Sequence, residues 1–313
     1  MAEKPLVSVI IPNYNHAPYL DQRISSVLAQ TYSNMEVIIL DDKSPDNSVE
    51  VIEKYRNDPK VSHIVVNKEN SGSTFLQWNK GLALAKGEII WIAESDDYCS
   101  PEFLESCVCE FMRMSDCAVV YCSSEYVDSE SNDLGTFRRY DQPLYRMGGR
   151  EFIRERMAFG CDIWNASSAI FSKKLALTLP GDYQDFKACG DKLFWIYMAE
   201  KGNVVHVNSI MNYFRQHQNK VSPKRLRDGT ALKEERLIYK YQCSNGYLSG
   251  IKKVFVLYLY LNKIRSISFD DDEVKENVIR VWKMENKGKR FLISLISRVY
   301  TYYCLYLRHR KPI

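Results

Sequence analysis

Short apolar runs alternate with segments of helical spacing over the N-terminal third of the chain, and this alternation constrains the fold more than any other feature. The runs are rich in Ile and Val, which is typical of strands buried on both faces of a sheet. A repeated strand–helix order predicts a parallel sheet with right-handed crossovers. The predicted strands are Leu6–Ile11, Met35–Leu40, Val61–Val66 and Ile89–Ala93, and the predicted helices between them are Tyr19–Gln30, Ser48–Tyr55 and Phe75–Ala85.

Acidic residues follow two of these strands directly. Asp41 and Asp42 follow the second strand, and Glu94, Asp96 and Asp97 follow the fourth. The carboxyl ends of parallel strands open onto one edge of a sheet, where α/β proteins bind their ligands. Carboxylates this close repel one another, and a divalent cation among them relieves the repulsion. The pattern therefore predicts a cation-assisted ligand site at this edge.

The rest of the chain changes character twice. Residues 126–149 are polar and irregular, which indicates a hairpin or a loop. The apolar runs Trp164–Phe171, Val204–Val207 and Met211–Phe214 predict further strands. Beyond residue 222 the spacing is helical, which predicts a helical appendage. We therefore predict an α/β fold, with a mostly parallel sheet flanked by helices and a C-terminal helical region. The segments that predict this region are Leu226–Tyr241, Ile251–Ile264, Asp272–Met284 and Phe291–Leu307.

Composition excludes several classes of protein. A net charge of +4 from 43 basic and 39 acidic residues argues against a nucleic-acid-binding protein. Nine cysteines without a Cys-x-x-Cys pair predict free thiols in a reducing cytoplasm, not a disulfide framework or a zinc site. No apolar run reaches the roughly 20 residues of a membrane span, and residues 1–5 lack a signal-peptide core. We therefore expect a cytoplasmic protein.

The C-terminal segment from Arg280 onward is basic and carries Tyr302, Tyr303 and Tyr306. Lysines and arginines beside interfacial tyrosines are typical of peripheral contact with the inner face of a cell membrane. A dimer contact through the C-terminal helices is the alternative interpretation.

Four motifs occur in order along the first third of the chain. They are Pro12-x-Tyr14-Asn15, Asp41-Asp42-x-Ser44, Ala85-x-Gly87-Glu88 and Glu94-x-Asp96-Asp97. In this order and with these separations the chain resembles family 2 glycosyltransferases, inverting enzymes with the Rossmann-like GT-A fold. The resemblance covers about residues 5–220. It implies a catalytic domain over 1–221, with a nucleotide-sugar half (1–125) and an acceptor half (126–221), followed by the helical region 222–313.

The resemblance also implies roles for the donor side. It assigns Tyr14 and Asp42 to the base, Asp96 to the ribose and Asp97 to a metal ion, Mn²⁺ or Mg²⁺. Pro12 belongs to the first nucleotide-binding loop. Glu94 stands where the family's Asp-x-Asp-Asp string has its first Asp.

Further roles follow from the second half of the resemblance. Asp191 matches the Asp of the family's Glu-Asp pair and is the expected catalytic base, although Gly190 replaces the Glu. The segment Tyr213-Phe214-Arg215-Gln216-His217 is similar to one that ends many of these domains. It implies a diphosphate contact for Arg215 and a metal or phosphate contact for His217.

Sequence position alone suggests four more site residues. Asn79 and Lys80 lie on the helix before the fourth strand and are expected to face the phosphates. Trp164 and Asn165 precede the catalytic Asp and are expected on the acceptor side.

The sequence thus favours a metal-dependent inverting glycosyltransferase that moves one sugar from a nucleotide-sugar, with UDP favoured, to a glycan or lipid-linked acceptor in surface polysaccharide biosynthesis. The resemblance implies that processive members of the family carry a Gln-x-x-Arg-Trp segment and membrane spans. The chain shows neither, so addition of a single sugar is expected. A non-catalytic nucleotide-sugar-binding partner is the first alternative, suggested by Glu94 and Gly190. A nucleotidyltransferase is the second, but the loop Pro12–His16 lacks the Gly and Lys of a phosphate loop.

Overall fold

The β-branched runs form the strands of a ten-stranded sheet in the computed structural model, which describes residues 4–136, 142–217 and 221–282. Two compact units divide the chain. The first, the sheet unit, comprises Met1–Phe152, Asp162–Asp185 and Gly190–Asn219. The second, the helical unit, comprises Ile153–Cys161, Phe186–Cys189 and Lys220–Ile313.

The strands are β1 (Val7–Asn13), β2 (Met35–Asp41), β3 (Val61–Val66), β4 (Ile89–Ile92), β5 (Tyr98–Cys99), β6 (Cys117–Val127), β7 (Asp133–Gly135), β8 (Leu144–Met147), β9 (Ala169–Ser172) and β10 (Asn203–Arg215). The helices are α1 (Ala17–Leu28), α2 (Ser48–Glu53), α3 (Thr74–Leu84), α4 (Phe103–Met112), α5 (Gly149–Arg156), α6 (Lys173–Ala176), α7 (Gly190–Lys201), α8 (Val221–Arg227), α9 (Thr230–Ser244), α10 (Gly250–Ser266) and α11 (Asp272–Trp282).

The sheet runs in the order β3-β2-β1-β4-β9-β6-β10-β5, with β7 paired to β6 and β8 to β10. Strands β1 to β4 form its parallel half, as predicted. Strand β9 joins β4 to β6 by antiparallel pairing, and β6 is parallel to β10. This architecture confirms the predicted fold class.

Two strand predictions in the second half need correction. Val204–Val207 and Met211–Phe214 are parts of one strand, β10, because register shifts at Val207/Ile210 and Ile210/Asn212 absorb the irregular residues between them. The predicted strand Trp164–Phe171 begins only at Ala169, since residues 166–168 form a 3₁₀ turn. That turn is part of the site described below.

The core of the sheet unit follows from burial on both faces of the sheet. Every residue of β1, β2 and β4 is buried, which explains their continuous apolar runs. Helices α1 and α4 contribute Leu20, Ile24 and Phe103 to the same core.

The helical unit has an apolar core of its own. Trp282 is fully buried there against Tyr260, and its indole N–H donates to the carbonyl of Leu232 at 2.8 Å. The predicted helical segment Phe291–Leu307 and the tyrosines within it lie outside the described residues. Within the described ranges, no helix has both the length and the apolar content to cross a membrane.

Candidate active site

The loops that follow β1 and β2 are tied to one another by short side-chain hydrogen bonds. Asp41 is fully buried, and its carboxylate accepts from the Asn13 amide at 2.7 Å and the Ser44 hydroxyl at 2.6 Å. Asn15 and Lys43 both have φ of 59°, a left-handed conformation that costs free energy outside glycine and is common at functional sites. The two loops are therefore held in one fixed arrangement at the strand ends.

Asp42 lies in a cage of polar donors. Its Oδ1 accepts from the Asn67 amide at 2.6 Å and the Gln77 amide at 2.9 Å, and its Oδ2 accepts from the Ser71 hydroxyl at 2.8 Å. Lys80 donates a hydrogen bond to Asn67, so it is linked to the Asp42 carboxylate through that residue. The cage fixes the Asp42 carboxylate, which is only 4% exposed.

Asp97 points into the protein and is almost completely buried. Its Oδ2 accepts from the Asn165 amide at 2.5 Å and the Ser167 hydroxyl at 2.7 Å, and its Oδ1 accepts the backbone N–H of Arg215 at 3.0 Å. The guanidinium of Arg23 lies 3.9 Å away. A buried carboxylate needs such partners, and here three donors and one cation come from three separate segments of the chain.

Asp96 points the other way, toward two histidines. Its Oδ2 lies 3.1 Å from Nε2 of His217, and His16 packs edge-on against His217 with ring centroids 5.4 Å apart. One ligand atom from each of the three residues lies within 4.8 Å of the others. Two imidazole nitrogens and a carboxylate oxygen suit a divalent transition metal. They leave ligand positions for oxygens of the nucleotide-sugar. The donor set therefore fits the implied cation.

The two predicted metal ligands lie in different places. His217 lies in the candidate cluster. Asp97 lies outside it, because its oxygens are engaged with Asn165, Ser167 and Arg215. Asp96, expected at the ribose, is the carboxylate of the cluster. His16, the last residue of the loop Pro12–His16, was not predicted as a ligand.

Glu94 is the third acidic residue of the segment that follows β4. The indole N–H of Trp78 donates to its Oε1 at 2.9 Å. Burial, together with the charges of Asp96 and Asp97, raises the pKa of Glu94 to about 8. Burial and the charge of Asp96 also raise the pKa of Asp97. A bound cation would favour the ionised form of both carboxyls.

Arg215 is buried and holds a loop. Its guanidinium donates to the carbonyls of Asp96 and Asp128 at 2.8 Å each, and to Gln22 at 2.6 Å. It also contacts Ser131, whose φ is 70°. With these partners and an exposure of 1%, the side chain is placed to fix the Asp96 backbone, not to reach the diphosphate that the resemblance implied.

Asp191 lies in the first turn of α7, half-buried, and its Oδ1 accepts the backbone N–H of Lys192 at 2.7 Å. Gly190 precedes it with no room for a side chain, because a Cβ there would lie 2.4 Å from the Tyr183 carbonyl and 2.6 Å from the Phe75 ring. Phe75 packs on Trp78, which binds Glu94. A continuous set of contacts thus joins the start of α7 to the acids after β4.

The other predicted residues have mixed surroundings. Tyr14 is 48% exposed, so its ring is accessible, whereas Pro12 is buried within β1. Asn79 accepts a hydrogen bond from the Tyr183 hydroxyl at 2.9 Å. Trp164 is half-buried and stacks on Tyr126 with ring centroids 5.0 Å apart.

Sequence reasoning missed the residues that support the acids. Ser167, Gln77 and Arg23 each contact a site carboxylate. No motif signals them, since their roles depend on elements that are distant in the sequence. Asn165 was predicted on the acceptor side, but it is 7% exposed and donates inward to Asp97.

Comparison with curated proteins finds relatives among polysaccharide synthases. The chain is 31% identical over 233 residues to hyaluronan synthase of Pasteurella multocida, a match that covers 71% of the chain and 22% of that protein. It is 29% identical over 229 residues to chondroitin synthase of Escherichia coli, covering 71% of the chain and 30% of the relative. The matches thus span under a third of the length of these relatives.

Solved structures share the fold. The chain superposes on S. aureus TarS 1–349 in complex with UDP-GlcNAc with a TM-score of 0.66 and 20% identity, covering 88% of this chain and 80% of that one. The mannosyltransferase PcManGT from Pyrobaculum calidifontis, in complex with GDP-Man and Mn²⁺, gives a TM-score of 0.57 and 14% identity, covering 99% and 89%.

A family model described as glycosyl transferase family 2 matches residues 8–174, more than half of the chain. The acids at the ends of β2 and β4 lie at one edge of the sheet. The match shows that the chain belongs to glycosyltransferase family 2.

Proposed function

We propose that this protein is a metal-dependent inverting glycosyltransferase that moves a single sugar from a UDP-sugar to a hydroxyl of a glycan or lipid-linked acceptor. The observation that carries the proposal is the cluster of Asp96, His217 and His16 at the edge of the sheet where the donor is expected. Membership of the family and the named relatives, hyaluronan and chondroitin synthases, support polysaccharide biosynthesis as the setting.

The donor side is divided between two groups of residues. Tyr14 is exposed enough to stack on the base. Asp42, whose carboxylate is oriented by the amides of Asn67 and Gln77, would accept a hydrogen bond from an N–H group of the base. Asp96, His217 and His16 would hold the cation, which when bound neutralises the diphosphate and stabilises it as a leaving group. Arg215 keeps the Asp96 backbone in place.

The acceptor side supplies the base. In an inverting transfer the acceptor oxygen attacks the anomeric carbon as the bond from that carbon to the diphosphate breaks. The carboxylate of Asp191 takes the proton of the attacking hydroxyl, and UDP leaves with the electron pair. Attack from the face opposite the diphosphate inverts the anomeric configuration. Trp164, stacked on Tyr126, offers an aromatic face for an acceptor sugar.

The non-catalytic alternative loses part of its support here. Gly190 suggested a degenerate enzyme, but packing against Tyr183 and Phe75 accounts for glycine at this position. The alternative predicts that the protein binds UDP with Mn²⁺ and never releases UDP from a donor.

The test is UDP release from a panel of UDP-sugars, with oligosaccharide acceptors, in the presence of Mn²⁺ or Mg²⁺. The Asp191→Asn variant should lose at least about a hundred-fold in kcat, because a general base contributes about 10²–10⁴ to the rate. It should still bind UDP. Full activity of this variant would refute Asp191 as the base, and full activity in excess chelator would refute the metal.

A further inference from the structure

Glu234, on α9 of the helical unit, binds three consecutive backbone N–H groups. Its Oε1 accepts from Lys187 at 2.6 Å, and its Oε2 accepts from Ala188 at 2.9 Å and Cys189 at 2.8 Å. The Cys189 thiol adds a contact to the carbonyl of Ala231 at 3.6 Å. Hydrogen bonds to a carboxylate are among the strong ones, so this segment is firmly anchored. All of these residues belong to the helical unit.

The anchored segment leads directly into α7. Cys189 is followed by Gly190, the first residue of that helix, and then by Asp191. The backbone at Cys189 therefore constrains where the chain enters α7, and with it the position of Asp191 two residues later. Glycine has more backbone conformations open to it than other residues, so a fixed backbone at Cys189 narrows those available to Gly190.

We propose that Glu234 is a positioning residue for glycosyl transfer. By holding the N–H groups of residues 187–189, it sets the backbone that enters α7 and so aligns Asp191 with the acceptor hydroxyl. This inference rests on the proposed function, in which Asp191 removes the proton. Glu234 acts only through the backbone.

Alignment of this kind affects the rate more than donor affinity. A displacement of a catalytic group by about 1 Å costs up to about a hundred-fold in rate. Glu234→Gln keeps one acceptor oxygen but turns an NH₂ group toward N–H donors, and we expect kcat to fall about ten-fold. Glu234→Ala removes every acceptor and should lower kcat further. The donor KM and the Kd for UDP with Mn²⁺ should not change.

Glu235→Gln is the matched control. Glu235 is the next residue on the same helix, and it accepts from the Tyr260 hydroxyl at 2.6 Å. The control therefore removes the same charge from the same helix, and it should retain the wild-type kcat.

The experiment measures kcat and KM for UDP release with the donor and acceptor selected by the panel, and hydrogen exchange of the amides of residues 187–189. The inference expects faster exchange together with the lower kcat in Glu234→Gln. Faster exchange with an unchanged kcat would overturn it. So would a loss of donor affinity as large as the loss in kcat, which indicates general disruption.

Asp191→Asn, assayed in parallel, separates this inference from the function it rests on. If Asp191→Asn is inactive and Glu234→Gln is fully active, the positioning role is refuted and the function stands. If Asp191→Asn is active, the assignment of Asp191 as the base, on which this inference rests, fails first. Should Glu234→Gln not fold, Glu234→Asp, which keeps the charge on a shorter side chain, should show a smaller decrease in kcat; a wild-type kcat there would overturn the inference.

Discussion

At the scale of single residues, neighbouring acids have opposite environments. Asp96 and Asp97 are adjacent, yet Asp97 is buried among donors and Asp96 lies beside His217. Asp41 and Asp42 are both buried, but Asp41 accepts from Ser44 of its own loop, whereas Asp42 accepts from Asn67, Ser71 and Gln77. Burial decides these roles, because a buried carboxylate is stable only with hydrogen-bond donors around it.

Asparagine substitutions should distinguish the two acids of β4. Asp96→Asn removes a candidate metal ligand, so Mn²⁺-dependent UDP affinity should fall at least about a hundred-fold while the free energy of unfolding stays near wild type. Asp97→Asn turns an NH₂ group toward the donors of Asn165 and Ser167, and leaving such buried groups unpaired should lower the free energy of unfolding by about 1–3 kcal/mol. Calorimetric titration and urea unfolding measure these effects. Lost metal dependence in a fully stable Asp97→Asn protein would return Asp97 to the ligand set.

At the scale of elements, the start of α7 and the strand β2 each depend on the close contacts of one residue. The start of α7 packs Gly190 against Tyr183 and Phe75. Strand β2 carries Glu36, whose Oε1 accepts from the Ser8 hydroxyl of β1 and from the N–H of Lys86, both at 2.6 Å. Glu36 thus joins β1, β2 and the turn that leads to β4.

Gly190→Ala should destabilise the protein. The added Cβ would lie 2.4 Å from a backbone carbonyl, and such overpacking costs about 1–3 kcal/mol in the free energy of unfolding. Gly160→Ala is the matched control, since a Cβ at Gly160 has nothing within 4 Å. Urea unfolding compares the two variants. Equal stability of both would show that α7 can move without cost.

Glu36 should give the protein a pH-dependent stability. Burial acts to raise its pKa, but the hydrogen bonds from Ser8 and Lys86 outweigh it and hold the pKa below the ordinary value of 4.5. A lowered pKa stabilises the folded state above pH 4.5, and this stabilisation is lost as the pH falls through the folded-state pKa.

The Glu36→Gln variant keeps the acceptor oxygen but cannot titrate. Between pH 6 and pH 3 it should therefore lose less stability than the wild type, by about 1 kcal/mol in thermal or urea unfolding. Glu88→Gln, at an exposed position, is the control. Identical pH curves for wild type and Glu36→Gln would contradict the assignment.

At the scale of the whole molecule, the site is assembled by strand pairing between distant segments. Strand β10 pairs with β5 through Tyr213 and Tyr98, and this antiparallel pairing brings His217 beside Asp96, 121 residues earlier in the chain. The parallel half of the sheet contributes the loops of β1 and β2. Donor and metal are therefore expected to bind only to the folded sheet unit.

Ligand-linked stability follows from that expectation. UDP with Mn²⁺, at about a hundred times its Kd, should raise the free energy of unfolding by about 2.7 kcal/mol and shift Tm upward by several degrees. EDTA should remove the shift, and Asp96→Asn should not show it. An equal shift with UDP in EDTA would mean that the nucleotide binds without the cation.

The sequence by itself determined the fold class, the edge of the sheet where the acids gather, and the family resemblance. These depend on apolar periodicity and on short motifs, which are local properties of the chain. The tertiary structure decided which acid faces which partner: Asp97 is held by Asn165 and Arg215, and Asp96 by His217. Burial and long-range pairing set these environments, and a pattern of neighbouring residues does not contain them.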